Sequence, residues 1–313
     1  MATVFLKVVM IFCIVAVGYA ANKAGVLPVE SNKYLVNLLL YISIPAMIID
    51  SMSENPLTPE MKRATLEVFL GTLIWFFAVW LLGLLVLKIL RYRPPEDQGV
   101  LLALMSSVNS GFMGFPVTAS IFGSQALYFM VIENCTCVFY LYFLQVLQLN
   151  YGTKKRADIR AVFRSLCNMC MLAALIGLVL LITGMRLPEI ASDFFGILAD
   201  ATVPVSMIVL GIQLSNSNLK SAFTDRKLII VCLVNVVLVP VLTFLGCNWL
   251  PLTNWAKLTL VFASAFPGAV ISVAIAAREN KNADLMAKGI AMTTLMSLAT
   301  LPVAAMALME LYM

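Results

Sequence analysis

Ten apolar segments of roughly 20 residues each constrain the fold of this 313-residue chain more than any other feature. About 20 apolar residues is the length that an α-helix needs to cross the hydrocarbon core of a bilayer. Only 12% of the residues are charged, against roughly 25% in soluble domains. The sequence therefore predicts an all-α integral membrane protein. Its ten transmembrane helices, called spans 1 to 10 below, have approximate bounds 3–22, 33–53, 65–90, 98–122, 125–149, 166–184, 192–215, 228–248, 257–278 and 285–309.

Lysine and arginine are distributed unequally between the two sides of the predicted helices. Sixteen of the 21 lie in or beside the connections that follow spans 1, 3, 5, 7 and 9. Because cytoplasmic connections are enriched in these residues, we expect both termini outside and the most basic connection, 150–165, in the cytoplasm. No cleavable signal peptide is expected, because Met1 to Ala21 lacks a basic N-terminal region. The prediction is a multi-pass protein of the plasma (inner) membrane, in contact with lipids.

Composition argues against several classes of function. There is no histidine, so the usual imidazole proton shuttle and the Ser/His and Cys/His nucleophile pairs are missing. The seven cysteines lie mostly in apolar segments, and the CxxC of Cys167 and Cys170 lacks further zinc ligands. The sequence has no phosphate-binding loop and no dinucleotide fingerprint. We therefore expect no enzyme, no metal site, no cofactor and no nucleic-acid partner.

Two stretches of the sequence resemble each other and indicate an internal repeat. One begins at Gly25 and reads GVLPVESNKYLVNLLLYISIPAMI, and the other begins at Gly184 and reads GMRLPEIASDFFGILADATVPVSMI. Pro45 then corresponds to Pro204, an offset of 159 residues. Each half contains five spans, so the second half must enter the membrane from the opposite side. The expected organisation is a first five-helix repeat at 1–149, the basic loop at 150–165 and an inverted five-helix repeat at 166–313.

Span 4 contains helix-breaking residues in its middle, in the stretch VNSGFMGFPV from Val108 to Val117. The offset of 159 places its VNSG opposite the PGAV of span 9, so two broken spans occupy equivalent positions. Interrupted helices at corresponding positions of inverted repeats are typical of secondary transporters with a substrate site near the bilayer midplane. Half-helices starting near Gly111 and Ala269 would direct free N–H groups and positive dipole ends at that site, which suits a carboxylate.

The candidate substrate ligands lie at these two breaks. Asn109 and Ser110 supply side-chain donors, and the glycines permit close backbone approach; the alternative is that Asn109 and Ser110 only cap a kinked helix. Phe112 and Phe115 are candidates for an apolar pocket wall, with ordinary packing as the alternative. The predicted substrate-binding residues are Asn109, Ser110, Gly111, Met113, Gly114, Pro267, Gly268 and Ala269.

Charged residues inside spans form a second candidate group, because they are costly there and usually functional. Glu133 of span 5, with its neighbours Asn134 and Thr136, would carry a proton or help to hold sodium. Asp200 of span 7 is a further candidate for such a coupling ion. Buried structural hydrogen bonding is the alternative for both carboxylates. Sodium coupling, proton coupling and uncoupled movement all remain open.

Five spans contain distinctive stretches, namely NLLLYISIPAMII, NSGFMGFPV, DATVPVSMIVLGIQL, FASAFPGAVISVAIA and TTLMSLATLPV in spans 2, 4, 7, 9 and 10. These stretches resemble the auxin efflux carrier family in its compact prokaryotic form, and more distantly the sodium-coupled bile acid symporters. Plant members usually have proline at both crossover points, whereas this chain has Val108 at the first.

The resemblance implies a homodimer that works by an elevator-like mechanism. Spans 1, 2, 6 and 7 would form a scaffold, and spans 3–5 and 8–10 a moving transport unit in which the broken spans 4 and 9 cross. Pro45 and Pro204 would kink spans 2 and 7, whose apolar wall would face the crossing. The implied substrate is a small organic anion, either a malonate- or malate-like dicarboxylate or an auxin-like aromatic monocarboxylate. A sodium-coupled bile-acid-like symporter and an anion channel are the alternatives.

Overall fold

The computed structural model describes residues 2–54, 58–92, 94–151, 169–217 and 222–313. All regular structure in these ranges is helical. Apart from Asn150 and Tyr151, the predicted basic loop lies outside the described residues, as does the beginning of span 6.

The helices follow the ten predicted spans. Spans 1 to 5 comprise the helices Ala2–Lys23, Ser31–Leu38, Ile44–Glu54, Pro59–Leu90, Gln98–Ser106, Phe115–Phe139 and Gln145–Leu149, with π-helical turns at Leu39–Ser43, Ser110–Gly114 and Tyr140–Leu144 and a 3-10 turn at Pro95–Asp97. Spans 6 to 10 comprise Met169–Thr183, Glu189–Asp200, Thr202–Ser215, Arg226–Leu233, Val239–Trp249, Asn254–Ser264, Ile271–Arg278 and Ala283–Tyr312, with a π-helical turn at Val234–Leu238.

Spans 4 and 5 are joined by a single residue. Gly123 interrupts the helix Phe115–Phe139 with a φ of 84° and a ψ of −173°, a backbone conformation that only glycine adopts readily. The chain therefore turns at Gly123, and the second half of span 4 ends there.

By length and apolar composition, seven helical stretches of the described residues qualify as membrane spans. They are spans 1, 2, 3, 7, 8 and 10 and the 55-residue stretch Pro95–Leu149, which contains both span 4 and span 5. Span 6 is described only as the shorter apolar helix Met169–Thr183. Span 9 falls short because its break divides it into helices of 11 and 8 residues. The predicted all-helical membrane architecture is confirmed at this level.

Three of the π-helical turns end two residues before a proline. Proline has no N–H to donate to the preceding turn, and π adjustments of the hydrogen-bond ladder accommodate it within a membrane helix. Proline therefore does not mark the break in span 4, which lies upstream at Ser107–Asn109. The three pairs are Leu39–Ser43 with Pro45, Ser110–Gly114 with Pro116, and Val234–Leu238 with Pro240.

Two helix pairs have the most extensive contacts, span 1 with span 7 and span 2 with span 6. In the first pair, a Cβ on Gly211 would lie 2.2 Å from the carbonyl oxygen of Val15, and one on Gly18 would lie 2.5 Å from that of Ile208. In the second pair, a Cβ on Gly177 would lie 2.5 Å from the sulfur of Met52. Small residues thus let these helices approach closely, as in other membrane proteins.

The remaining spans pack around the first halves of the two broken spans. The helix Asn254–Ser264 of span 9 contacts spans 3, 5, 8 and 10, and the helix Gln98–Ser106 of span 4 contacts spans 3, 5, 8 and 10 as well. A buried polar cluster holds span 4 to span 5, where the Tyr140 hydroxyl lies 2.9 Å from Ser106 Oγ and 2.7 Å from Gln148 Oε1. This packing places both breaks inside the protein.

Candidate functional site

The breaks of spans 4 and 9 are in direct contact. Span 4 leaves its first helix at Ser107, whose backbone is extended, with φ −81° and ψ 136°. The N–H of Asn109 donates to the carbonyl oxygen of Pro267 at 2.8 Å. In the other direction, the N–H of Ala269 donates to Ser107 Oγ at 3.2 Å. Each break therefore satisfies backbone groups that the other leaves free, as burial in a membrane requires.

Of the two polar atoms in the Asn109 side chain, only the oxygen has a hydrogen-bond partner in the described part of the chain. Its Oδ1 accepts a hydrogen bond from the N–H of Phe112 at 3.3 Å and so caps the turn Ser110–Gly114. Its side chain is 2% exposed, and its Nδ2 has no hydrogen-bond partner in the described part of the chain. A buried donor without a partner costs about 1–3 kcal/mol. The oxygen therefore acts as a cap, while the buried amino group is left without a partner among the described residues.

The second break is fixed from span 10. The N–H of Gly268 donates to Thr293 Oγ1 at 3.2 Å. A Cβ on Gly268 would lie 3.0 Å from the side chains of both Ile290 and Ser107, so glycine permits the close packing of spans 4, 9 and 10. The break is therefore held by its neighbours and does not depend on a ligand for its shape.

The second half-helix of span 9 begins with free donors. The N–H groups of Val270 and Ile271 precede the first hydrogen bond of the helix Ile271–Arg278. Among the described residues neither has a hydrogen-bond partner, whereas the N–H of Ser272 already donates to Ala269. The positive end of this helix thus lies beside the breaks, with two N–H groups that lack a partner among the described residues.

A cavity of about 660 Å³ lies in that space. Small-molecule sites typically have volumes of roughly 300–1,000 Å³. Val108, Asn109 and Gly111 line it from the first break, and Ala269, Val270 and Ile271 line it from the second. The other lining side chains are largely apolar and come from spans 2, 5 and 6, and none of the described lining residues is charged. Examples are Leu40, Tyr41, Ile44, Val138, Tyr142, Cys170 and Leu175, together with Phe112 and Phe115 of span 4.

The predicted substrate ligands fall into two groups, those that line the cavity and those that do not. Asn109, Gly111 and Ala269 line it, whereas the other five do not. Ser110 is directed at span 5, since its Oγ accepts a hydrogen bond from Asn134 Nδ2 at 2.9 Å. Gly114 packs beside the Phe266 ring, to which an added Cβ would be 3.3 Å distant. The five predicted residues outside the lining are Ser110, Met113, Gly114, Pro267 and Gly268.

Sequence comparison identifies the family of proteins to which the chain is related. A family model described as membrane transport protein matches residues 3–305, nearly the whole chain. The chain belongs to the membrane transport protein family. Because this is the family of auxin efflux carrier type, the resemblance drawn from spans 2, 4, 7, 9 and 10 is confirmed.

Two archaeal relatives of this membrane transport protein align over almost their full length. One, from Methanothermobacter thermautotrophicus, is 29% identical over 310 residues, which cover 94% of this chain and 95% of the relative. The other, from Methanocaldococcus jannaschii, is 25% identical over 299 residues, which cover 93% of this chain and 94% of the relative. Both are described as uncharacterized transporters. The family and these relatives are thus described as transporters.

The four predicted coupling residues do not form one group in the transport protein. Asn134 lines the large cavity, but Glu133 lines a separate cavity of about 10 Å³. Thr136 Oγ1 donates to the carbonyl oxygen of Ile132 at 3.3 Å and lines neither cavity. Asp200 is exposed and also lies outside both linings. Successive residues of a helix point about 100° apart, which is why Glu133 and Asn134 face different spaces.

The predicted apolar wall of spans 2 and 7 is divided between two cavities beside the crossing. Span 2 does line the large cavity, but the second wall is span 6, from Met169 to Leu175. Span 6 takes this place because it packs along span 2, whereas span 7 packs along span 1. Span 7 instead lines a smaller cavity of about 270 Å³, which includes Gln213 and Thr294.

Sequence reasoning missed three hydroxyl residues near the breaks. Ser107 was not among the predicted ligands, yet it joins the two breaks. Thr72 and Ser264 line the small cavity with Glu133. Ser107 and Ser264 both lie within three residues of a break, which was the available signal, whereas Thr72 is brought there only by the packing of span 3.

Proposed function

We propose that this membrane transport protein is a secondary carrier that binds the carboxylate of a small organic anion at the two breaks. The observation that carries the proposal is the buried Nδ2 of Asn109, which lacks a partner and belongs to a residue lining the 660 Å³ cavity. The N–H groups of Val270 and Ile271 supply further donors at the same cavity. Donors without acceptors at the positive end of a helix favour an anion.

The wall of the cavity favours an acid with an apolar body. Phe112, Phe115, Tyr41 and Tyr142 are among its lining residues. No lysine or arginine is among the described lining residues, so a second carboxylate would have no cationic partner. We therefore infer that an aromatic monocarboxylate fits better than a malonate- or malate-like dicarboxylate, and the two classes are compared in the experiment below.

A pair of contacts supports the inverted repeat on which alternating access would depend. At the offset of 159 residues, Gly18 corresponds to Gly177, and Met52 corresponds to Gly211. Gly18 packs against Gly211 between spans 1 and 7, and Gly177 packs against Met52 between spans 2 and 6. The two contacts exchange under the repeat, as a two-fold relation between the halves requires. We extend this to the elevator-like homodimer with spans 1, 2, 6 and 7 as its scaffold.

The position of the cavity suggests which state of the carrier is present. From the breaks, the cavity runs along the end of span 5 at Tyr142 and the beginning of span 6 at Met169. These ends adjoin the basic connection 150–165, which we place in the cytoplasm of a cell bounded by the plasma membrane. The state is therefore inward-facing, with both termini outside.

Uptake into proteoliposomes tests the proposal. Radiolabelled indole-3-acetate, benzoate, malonate, malate and a bile acid are offered with and without sodium and pH gradients. The blocking variant is Gly111→Leu, because an added Cβ at Gly111 meets only Asn134 Nδ2, at 3.6 Å, so the larger side chain would enter the cavity. The matched control is Gly246→Leu, at an exposed helical glycine with no atom within 4 Å of its Cβ position.

The carrier proposal predicts saturable uptake of at least one acid, lost in Gly111→Leu and retained in Gly246→Leu. Uptake that is unaffected by Gly111→Leu would place the substrate elsewhere. Current that rises without saturation would identify an anion channel, and sodium-dependent uptake of the bile acid alone would identify a bile-acid-like symporter. No uptake of any acid by folded protein would refute the organic-anion proposal.

A further inference from the structure

A second, smaller site lies behind the crossing of spans 4 and 9. Its cavity of about 10 Å³ is lined by Thr72 and Trp75 of span 3, Val108 at the first break, Glu133 of span 5, and Leu260, Ala263 and Ser264 of span 9. Glu133 is 1% exposed, and its Oε2 has no hydrogen-bond partner in the described part of the chain. An ionised carboxylate in such surroundings is very costly unless a positive charge accompanies it.

The polar groups around this cavity present only acceptor oxygens to an occupant, because their hydrogen-bond donors are already used. The hydroxyl of Thr72 donates to the carbonyl oxygen four residues earlier at 2.8 Å, and that of Ser264 donates to the one three residues earlier at 2.6 Å. The indole N–H of Trp75 donates away from the cavity, to Thr243 Oγ1 at 2.9 Å. Oxygen lone pairs therefore remain while the donors are used, and such a lining suits a cation.

The protein supplies no cationic side chain of its own to this carboxylate. The ion pairs found in the described ranges are Arg63 with Glu67, Arg278 with Glu279, and Lys288 with Asp284. The space of about 10 Å³ just admits a single water or a bare monovalent ion. A water molecule would leave the charge of Glu133 uncompensated, whereas an ion would neutralise it.

The geometry around Oε2 of Glu133 favours an ion over a proton on that oxygen. A proton on Oε2 would have no acceptor within hydrogen-bond distance among the described residues, although two hydroxyl oxygens line the same cavity and leave room for an ion between them. The helix Asn254–Ser264 also ends here, so the negative end of its dipole lies at the cavity. Carbonyl ends of interrupted helices are typical ligands of sodium in transporters.

We propose that Glu133, Thr72 and Ser264 form the core of a binding site for a sodium ion. A single carboxylate with neutral oxygens suits a hard monovalent cation. The described residues contain no cluster of three or more His, Cys, Asp or Glu that would hold a transition metal. The ligand set thus differs from the predicted one, since Thr72 and Ser264 replace Asn134, Thr136 and Asp200.

The site is placed to influence the large cavity, because Val108 lines both. The Ser110 hydroxyl, next to the capping Asn109, also interacts with the carboxyl group of Glu133. An ion at this site would stabilise the break that carries Asn109 and would attract an anion on its other side. By linkage, the anion would raise sodium affinity by the same factor. This coupling role rests on the proposed function, whereas sodium binding itself does not.

Equilibrium binding of ²²Na⁺ to the purified full-length protein in detergent tests the site without any organic anion. Thermal unfolding is measured in parallel in sodium chloride and in potassium chloride at equal ionic strength. The test variant Thr72→Val removes one ligand, and Thr136→Val is its matched control, since both hydroxyls donate to the carbonyl four residues earlier. Ser264→Ala and Glu133→Gln complete the set.

The proposal predicts saturable ²²Na⁺ binding that sodium displaces and potassium does not, with a higher melting temperature in sodium. Thr72→Val and Ser264→Ala should each weaken binding by about tenfold or more, and Thr136→Val should leave it unchanged. Glu133→Gln should abolish it; if that variant does not fold, the two hydroxyl variants decide. The absence of sodium-specific binding in the wild type, or wild-type binding in Thr72→Val, would overturn the proposal.

The two proposals fail in different ways. Sodium binding in a protein that takes up none of the tested acids would leave the cation site standing and refute the organic-anion carrier. Uptake that is equal in sodium and potassium, with no ²²Na⁺ binding, would refute the cation site and leave the carrier standing.

Discussion

The divided role of Asn109 leads to a prediction in which affinity and stability change separately. Asn109→Ser keeps an oxygen at the capping position, since serine and asparagine are about equally good N-caps, but it removes the Nδ2 donor. Asn109→Ala removes both the cap and the donor. If Nδ2 binds the substrate carboxylate, both variants should lose affinity, and only the alanine variant should also lose stability.

The expected magnitudes follow from the two hydrogen bonds. A hydrogen bond to a charged group contributes about 1.5–3 kcal/mol, which corresponds to a Kd about 10- to 150-fold higher in either variant. Loss of the N-cap in Asn109→Ala should lower the free energy of unfolding by about 1 kcal/mol. The serine variant should unfold at nearly the wild-type temperature, because the hydrogen bond to the N–H of Phe112 is retained.

Isothermal titration calorimetry with the acid identified by uptake measures the affinity, and thermal unfolding in detergent measures the stability. Asn248→Ser is the control, because Asn248 bonds the carbonyl oxygen of Phe244 on an exposed surface and does not line the large cavity. Wild-type affinity in Asn109→Ser, with the protein folded, would refute the assignment of Nδ2 as a substrate ligand and leave Asn109 as a cap alone.

Three further predictions concern the helix packing, the two-fold relation and the buried polar cluster. Gly211→Ala should lower the free energy of unfolding by about 1–3 kcal/mol through its clash with backbone, whereas Gly246→Ala, with nothing within 4 Å, should not; thermal unfolding compares them. Val138→Cys should react with a membrane-impermeant thiol reagent added on the cytoplasmic side. Its equivalent at an offset of 159, Ser297→Cys, should react only with reagent added outside and only during transport. Equal labelling of both variants from one side would contradict the inverted repeat. Tyr140→Phe should lower the free energy of unfolding by about 0.5–1.5 kcal/mol, because it removes the hydroxyl that contacts Ser106 and Gln148, although these two still bond each other; an unchanged melting temperature would contradict this.

Hydropathy was sufficient to predict the helices because the length of a membrane span is fixed by the bilayer. The breaks were also readable, since Asn109, Gly111 and Gly268 disturb otherwise apolar runs. For Asn109 the capping role is observed, and the ligand role stays a prediction. The sequence could not assign the two roles to atoms, because it does not show which side-chain atom of Asn109 accepts the hydrogen bond from the N–H of Phe112.

The sequence could not predict the directions of the side chains or the packing between helices that are far apart along the chain. Ser110 carries the same kind of donor as Asn109, but its rotation about the turn directs it at Asn134 and away from the cavity. Thr72 lies about 60 residues from Glu133 along the chain, and only the packing of span 3 against the crossing brings them to one cavity. Periodicity predicts which residues share a face of one helix, but not which other helix that face meets.

The two halves of the chain use equivalent residues in unequal surroundings. Asn134 and its equivalent Thr293 each bond a break, the former through Ser110 and the latter through Gly268. Yet Asn134 lines the open cavity, whereas Thr293 is 0% exposed. Under the inverted repeat that we propose, a framework with one open and one closed half would have, by symmetry, a second arrangement of similar packing in which the halves exchange roles. The proposed site at the breaks would be shared by both arrangements and would let the substrate bind from either side, and a substrate bound equally well by both would leave their equilibrium unchanged.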